Sequence, residues 1–171
     1  MLQVRGKGDS SAALVALTER VIEIARSSGG TVIVNDRADV VLMTGAAGVH
    51  VGQEDLPIEA VRNIVGAGRI AGLSTHTREQ IDRALETSAD YVAVGPIFET
   101  DTKATGYSAR GLDLIAYAAG RGKPIVAIGG ITLERAAEVI AAGASGLAVI
   151  TDLLEGGNPE ARVRAYLRAL A

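Results

Sequence analysis

The stretch Val32–Asp55, VIVNDRADVVLMTGAAGVHVGQED, decides how the chain folds. Two short apolar runs, Val32-Ile33-Val34 and Gly48-Val49-His50-Val51, are each followed by amide and carboxylate side chains: Asn35-Asp36-Arg37 after the first, Gln53-Glu54-Asp55 after the second. Between them Ala38–Thr44 is mostly apolar and suits about two helical turns. The order is strand, short helix, strand, with polar groups where each strand ends. A parallel sheet wound with helices binds its ligands beyond the carboxyl ends of its strands. Asp36 and Asp55 are therefore expected to face one opening from neighbouring strands. Two carboxylates at one rim repel each other, and a divalent cation relieves that repulsion. The plainer alternative is a pair of helix N-caps, a position that aspartate favours.

The wider composition agrees with such a fold. A chain of 171 residues is expected to form one domain, residues 1–171. Hydrophobic residues reach 48% while aromatics stay at 3%, so the core must be aliphatic. A net charge of −3 argues against a duplex nucleic-acid partner, which calls for a dominant basic face. The chain has no cysteine, which excludes disulfides and thiolate metal sites and fits a reducing compartment. No apolar run approaches the roughly 18 residues that span a bilayer, and MLQVRGKGD carries no signal-peptide core. A cytoplasmic protein acting on small molecules is the expectation, with no membrane or nucleic-acid partner and room for a homo-oligomer.

The remaining elements follow from periodicity. Leu2–Arg5 alternates, which predicts a strand with Gln3, Arg5 and Lys7 aimed to one face. Residues 10–27 predict a helix ended by Gly29-Gly30, and Pro57 predicts the start of another running to about Val65. Ile70–Leu73 reads as a strand delivering Ser74, Thr75 and His76 at its end, before a helix over 78–87 capped by Thr77 with Glu79 or Gln80. Tyr91–Val94, Ile125–Ile128 and Leu147–Ile150 read as strands. Helices are predicted over 112–119, from a Thr132 cap to about Ala142, and over 159–170 with Val163, Tyr166, Leu167 and Leu170 on one face. Seven strands alternate with seven helices and no hairpin signal intervenes, which is a (β/α) repeat. Eight such units close a barrel, and this chain supplies seven.

The expected strand ends collect a distinctive set of groups. Gln3, Arg5 and Lys7 come first, then Asn35 and Asp36, Gln53 and Asp55, and Ser74, Thr75 and His76. Thr100, Thr102 and Lys103 lie on the long loop after the fifth strand, Gly129-Gly130 after the sixth, and Thr151-Asp152 after the seventh. Three cations, several neutral donors and two carboxylates suit a polyanion bound with a metal, as in a pyrophosphate chelating Mg²⁺. Gly129-Gly130 ahead of a helix adds a phosphate signal, because glycines let backbone N–H groups approach the anion. Any one of these residues alone reads as a turn or surface residue; their joint placement carries the argument.

Taken in order and spacing, VNDRADV, GVHVGQEDLP, GLSTHT, YVAVGPIFETDTK and PIVAIGGI resemble the thiamine phosphate synthase family from about Leu2 to Leu154. The resemblance implies a TIM-type (β/α)₈ barrel lacking its first strand and helix, hence two open strand edges. It implies a transferase that joins hydroxymethylpyrimidine diphosphate to a thiazole phosphate and releases pyrophosphate. On the same resemblance Gln3, Val4, Arg5, Gly6, Lys7, Asn35, Ser74 and Lys103 hold the pyrimidine diphosphate. Of these, Arg5, Lys7, Ser74 and Lys103 act on the departing group. Asp36 and Asp55 match the Mg²⁺ ligands, while Thr100, Asp101, Thr102, Gly130, Ile150 and Thr151 match the thiazole phosphate site. Gly6 stands where the family usually has an acidic residue. Two other readings are a thiazole tautomerase-like relative using a histidine near His76, and a non-catalytic phosphate-binding remnant.

Overall fold

The structure is a computed structural model that describes residues 1–100 and 106–170. Two compact units divide it: Met1–Ser74 with Thr87–Asp90, and Thr75–Glu86 with Tyr91–Ala171.

In the first unit, β1 (Leu2–Val4), β2 (Val32–Asn35), β3 (Gly48–Val51) and β4 (Ile70–Thr75) lie side by side in sequence order. Their pairing is parallel, in the register Val4 with Val34, Asn35 with His50, and Val51 with Leu73. The helices α1 (Ser11–Arg26), α2 (Ala38–Thr44) and α3 (Ile58–Val65) connect them. Val34, Val40, Val41, Val49, Val51 and Val61 are wholly buried, so the core is aliphatic, as the scarcity of aromatics requires. Ser10 caps α1 through a hydrogen bond that its hydroxyl accepts from the Ala13 N–H at 3.2 Å. At the amino ends of the strands, Arg62 donates to the carbonyls of Gly66, Arg69 and Ser88 and to Asp90. Asp90 in turn accepts from the Ala71 N–H at 2.7 Å. This staple holds the loops opposite the strand ends that carry the polar groups.

In the second unit, β5 (Tyr91–Val94), β6 (Ile125–Ile128) and β7 (Gly146–Ala148) are again parallel and in sequence order. Its helices are α4 (Arg78–Leu85), α5 (Leu112–Ala118), α6 (Leu133–Ala141), α7 (Thr151–Leu154) and α8 (Pro159–Ala169). Ile81, Val92, Val94, Ile97, Ile115 and Val139 form its buried centre. Alternating strands and helices with parallel pairing give the α/β class that the sequence predicts.

Several details differ from expectation. The first strand stops at Val4, and the chain then turns through Gly6–Gly8, where the Asp9 N–H donates to the Gly6 carbonyl at 3.2 Å. Lys7 therefore stands on a turn rather than on the strand's polar face. β4 runs two residues further than Leu73, because Ser74 and Thr75 find partners inside the sheet. Thr132 occupies the N-cap of α6 without making a side-chain cap bond. β7 ends at Ala148, and a short extra helix, α7, takes up Thr151 and Asp152. On α8 only Tyr166 is buried; Val163, Leu167 and Leu170 are exposed.

Candidate active site

In the first unit, four adjacent parallel strands deliver polar side chains at their carboxyl ends. Gln3 lies on β1 with Arg5 and Lys7 just beyond it, and all three are exposed. Val4 is buried and contributes packing and backbone only. A Cβ at Gly6 would meet the end of the exposed Asp9 side chain and approach Leu14, so a larger residue there needs Asp9 to turn aside.

Asn35 ends β2 and Asp36 follows with φ of +63°, the one described non-glycine residue in the left-handed region. Such a conformation is uncommon for a residue with a side chain, and aspartate and asparagine are the ones that adopt it most readily. The Asp36 N–H donates to the His50 carbonyl at 2.8 Å, which continues the β2–β3 ladder through the turn. Lys7 Nζ sits 3.7 Å from Asp36 Oδ2. Asp55, after β3, is oriented by the Gly52 N–H, which donates to its Oδ2 at 2.7 Å.

Ser74 is buried in β4 and held from two sides. Its Oγ lies 2.8 Å from His50 Nε2, and its carbonyl accepts from Gln53 Nε2 at 2.7 Å. His50 escapes sequence reasoning because it sits inside an apolar run; its one signal is being the single polar residue of Gly48–Val51. Asp36 and Asp55 provide hard oxygen donors from neighbouring strand ends, the ligand type that Mg²⁺ takes. Among the described residues no group of three or more His, Asp or Glu side chains is arranged to hold a metal ion. The donor set fits an ion that completes its shell with phosphate oxygens and water, and does not fit an all-protein cage.

The second unit holds the remaining candidates. His76 follows β4, is buried, and stacks on Tyr107 with ring centroids 4.5 Å apart. Its Nδ1 lies 2.5 Å from the Gly95 carbonyl oxygen, so the ring proton sits on Nδ1, since a carbonyl only accepts. Thr77 caps α4 by accepting from the Gln80 N–H, and Gln80 Oε1 accepts from the His76 N–H at 2.7 Å, closing the cap as the sequence predicts.

Gly130, after β6, has φ of +64°, and a Cβ there would meet Phe98 Cβ at 2.7 Å. Only glycine fits, and Arg135 donates to its carbonyl at 3.1 Å. Ile150 and the exposed Thr151 lie at the start of α7. Asp152, read from sequence as a strand-end polar group, is instead 5% exposed and paired with Arg162 and Tyr166. Thr100 is described and partly buried, whereas Asp101, Thr102 and Lys103 lie outside the described residues.

Comparison with known proteins identifies the family. The family model described as thiamine monophosphate synthase matches residues 1–153. The thiamine-phosphate synthase of Chlorobium luteolum is 42% identical over 98% of this chain and 79% of its own length. That of Roseiflexus sp. is 43% identical over 100% of this chain and 73% of its own. Among solved structures, the thiamine phosphate pyrophosphorylase of Pyrococcus furiosus superposes with a TM-score of 0.88 at 29% identity, covering 99% of this chain and 83% of the other. The chain belongs to the thiamine monophosphate synthase family.

Proposed function

We propose that this chain is a thiamine-phosphate synthase, a transferase that joins hydroxymethylpyrimidine diphosphate to a thiazole phosphate and releases pyrophosphate. The observation that carries the reading is the delivery of Gln3–Lys7, Asn35–Asp36, Asp55 and Ser74 by the carboxyl ends of four neighbouring parallel strands. Gln3, Arg5, Lys7, Asn35 and Ser74 hold the pyrimidine diphosphate, and Lys103 joins them. Thr100, Asp101, Thr102, Gly130, Ile150 and Thr151 seat the thiazole phosphate. The scaffold is of the (β/α)₈ barrel type and acts as a single catalytic domain in the cytoplasm, where phosphorylated small molecules are retained.

The chemistry asks the protein for charge rather than for a nucleophile. The methylene C–O bond breaks as its electron pair leaves on the pyrophosphate, and the electron-rich aminopyrimidine stabilises the resulting cation. The thiazole nitrogen then forms the new C–N bond. Arg5, Lys7 and Lys103 neutralise negative charge as it grows on the leaving oxygens, and Ser74, fixed by His50 and Gln53, donates a hydrogen bond there. A Mg²⁺ held by Asp36 and Asp55 would add positive charge at the same oxygens. The tautomerase reading has no use for this diphosphate-and-metal set.

Steady-state assay with both substrates and Mg²⁺ tests the reading. Wild type is expected to form thiamine phosphate, and Asp36→Ala and Asp55→Ala each to lose Mg²⁺-dependent turnover by at least about a hundredfold. Unchanged rates in either variant would remove that carboxylate from the metal site.

A further inference from the structure

Asp152 is the second residue of α7, directly after the Ile150-Thr151 pair, yet it is buried and turned into the protein. Arg162 from α8 grips it as a fork, Nε to Oδ2 at 2.9 Å and the terminal nitrogen to Oδ1 at 2.7 Å. The Tyr166 hydroxyl donates to Oδ2 at 2.6 Å. The same Arg162 guanidinium reaches Glu134, the second residue of α6, at 3.3 Å.

Through Arg162 this carboxylate in the first turn of α7 is linked to Glu134 in the first turn of α6, and each turn directly follows a candidate phosphate loop. α6 begins after Gly129-Gly130, and α7 begins after Ile150. Neither helix has a side-chain cap of its own: Thr132 makes no cap bond, and Ile150 has no group to make one. A helix of four residues does not hold itself in water, because it has barely passed the cost of nucleation. The Gly129-Gly130 loop is held locally by Phe98 and Arg135, which donate to its carbonyls, while the knot of Asp152, Arg162 and Tyr166 links the helices that follow the two loops.

We propose that Asp152, clamped by Arg162 and Tyr166, is a positioning residue for phosphate: it sets the spacing of the Gly129-Gly130 and Ile150-Thr151 loops so that both address one phosphoryl group. It touches no substrate itself. The inference rests on the reading that these two loops seat the thiazole phosphate. Donor groups must be held within about half an ångström to act together on one anion, and a preset spacing avoids the entropy of ordering them at each encounter.

Steady-state kinetics with each substrate varied in turn provide the test, on the full chain with Mg²⁺. Tyr166→Phe and Arg162→Lys are expected to raise KM for the thiazole phosphate about five- to fiftyfold. KM for the pyrimidine diphosphate and kcat at saturation should stay within about twofold. Arg162→Ala should exceed Arg162→Lys, since lysine keeps the charge but loses the fork. A fall in melting temperature with both KM values unchanged would make the knot merely structural and overturn the inference. An equal rise in both KM values would overturn it too. Should the arginine variants fail to fold, Tyr166→Phe, which removes a single oxygen, decides alone. If the wild type makes no thiamine phosphate, the functional reading falls and the inference with it. If the wild type turns over and the variants do not discriminate between substrates, only the inference falls.

Discussion

Asp36 bears the largest conflict between comfort and use. Its left-handed backbone favours glycine or asparagine over aspartate, and its neighbour Lys7 is more than half exposed, so their ion pair contributes at most about 1 kcal/mol. Asp36→Asn introduces a nearly isosteric amide that tolerates this conformation and removes the charge. We expect the variant to melt at or slightly above the wild-type temperature while Mg²⁺-dependent turnover falls at least about a hundredfold. Calorimetry and initial rates on one preparation check both halves. Asp36 was legible from sequence because it directly follows an apolar run; the sense of its backbone was not, since no neighbouring residue type signals a positive φ at aspartate. Asp152 was misread for a different reason. It too follows a strand, but the partners that bury it, Arg162 and Tyr166, lie ten and fourteen residues further on.

Among the elements, α2 and β3 match their sequence reading to the residue, since Gly45 closes the helix and Gly52 follows the strand. β4 was read too short because Ser74 and Thr75 look like the start of a turn. In the sheet both hydroxyls are satisfied, Ser74 by His50 and Thr75 by donating to the Ala93 carbonyl at 2.9 Å. Polar residues continue a strand wherever neighbours complete their hydrogen bonds. The same accounting gives weight to Arg62, whose side chain is 15% exposed and satisfies three carbonyls and Asp90 from α3. Arg62→Met keeps the aliphatic stem and strands these acceptors. Its cost is expected to be about 2–4 kcal/mol in urea unfolding, with KM values unchanged because the staple lies opposite the polar strand ends.

Across the whole molecule, acid should act through a few well-held carboxylates. Arg162 beside Asp152 holds that carboxyl below the usual aspartate value of 3.8, and Arg121 with Tyr117 does the same for Asp82. Arg37 likewise depresses Asp39. A group whose folded value is lowered stabilises fully above its unfolded value and loses that contribution as pH falls through the folded one. Stability is therefore expected to be level from neutrality to about pH 5 and to decline below about pH 4. Asp152→Asn should flatten that decline while lowering the plateau, as read by urea midpoints across the acid range. The buried Tyr166–Asp152 contact has a spectroscopic counterpart. With no tryptophan, near-ultraviolet absorbance belongs to four tyrosines and one phenylalanine. Burial and the Asp152 carboxylate hold the Tyr166 phenol well above its ordinary value, and burial does so for Tyr91. In an alkaline titration those two chromophores should stay dark in native protein and report phenolate only in denaturant, so the chain carries its own optical gauge of whether the knot is tied.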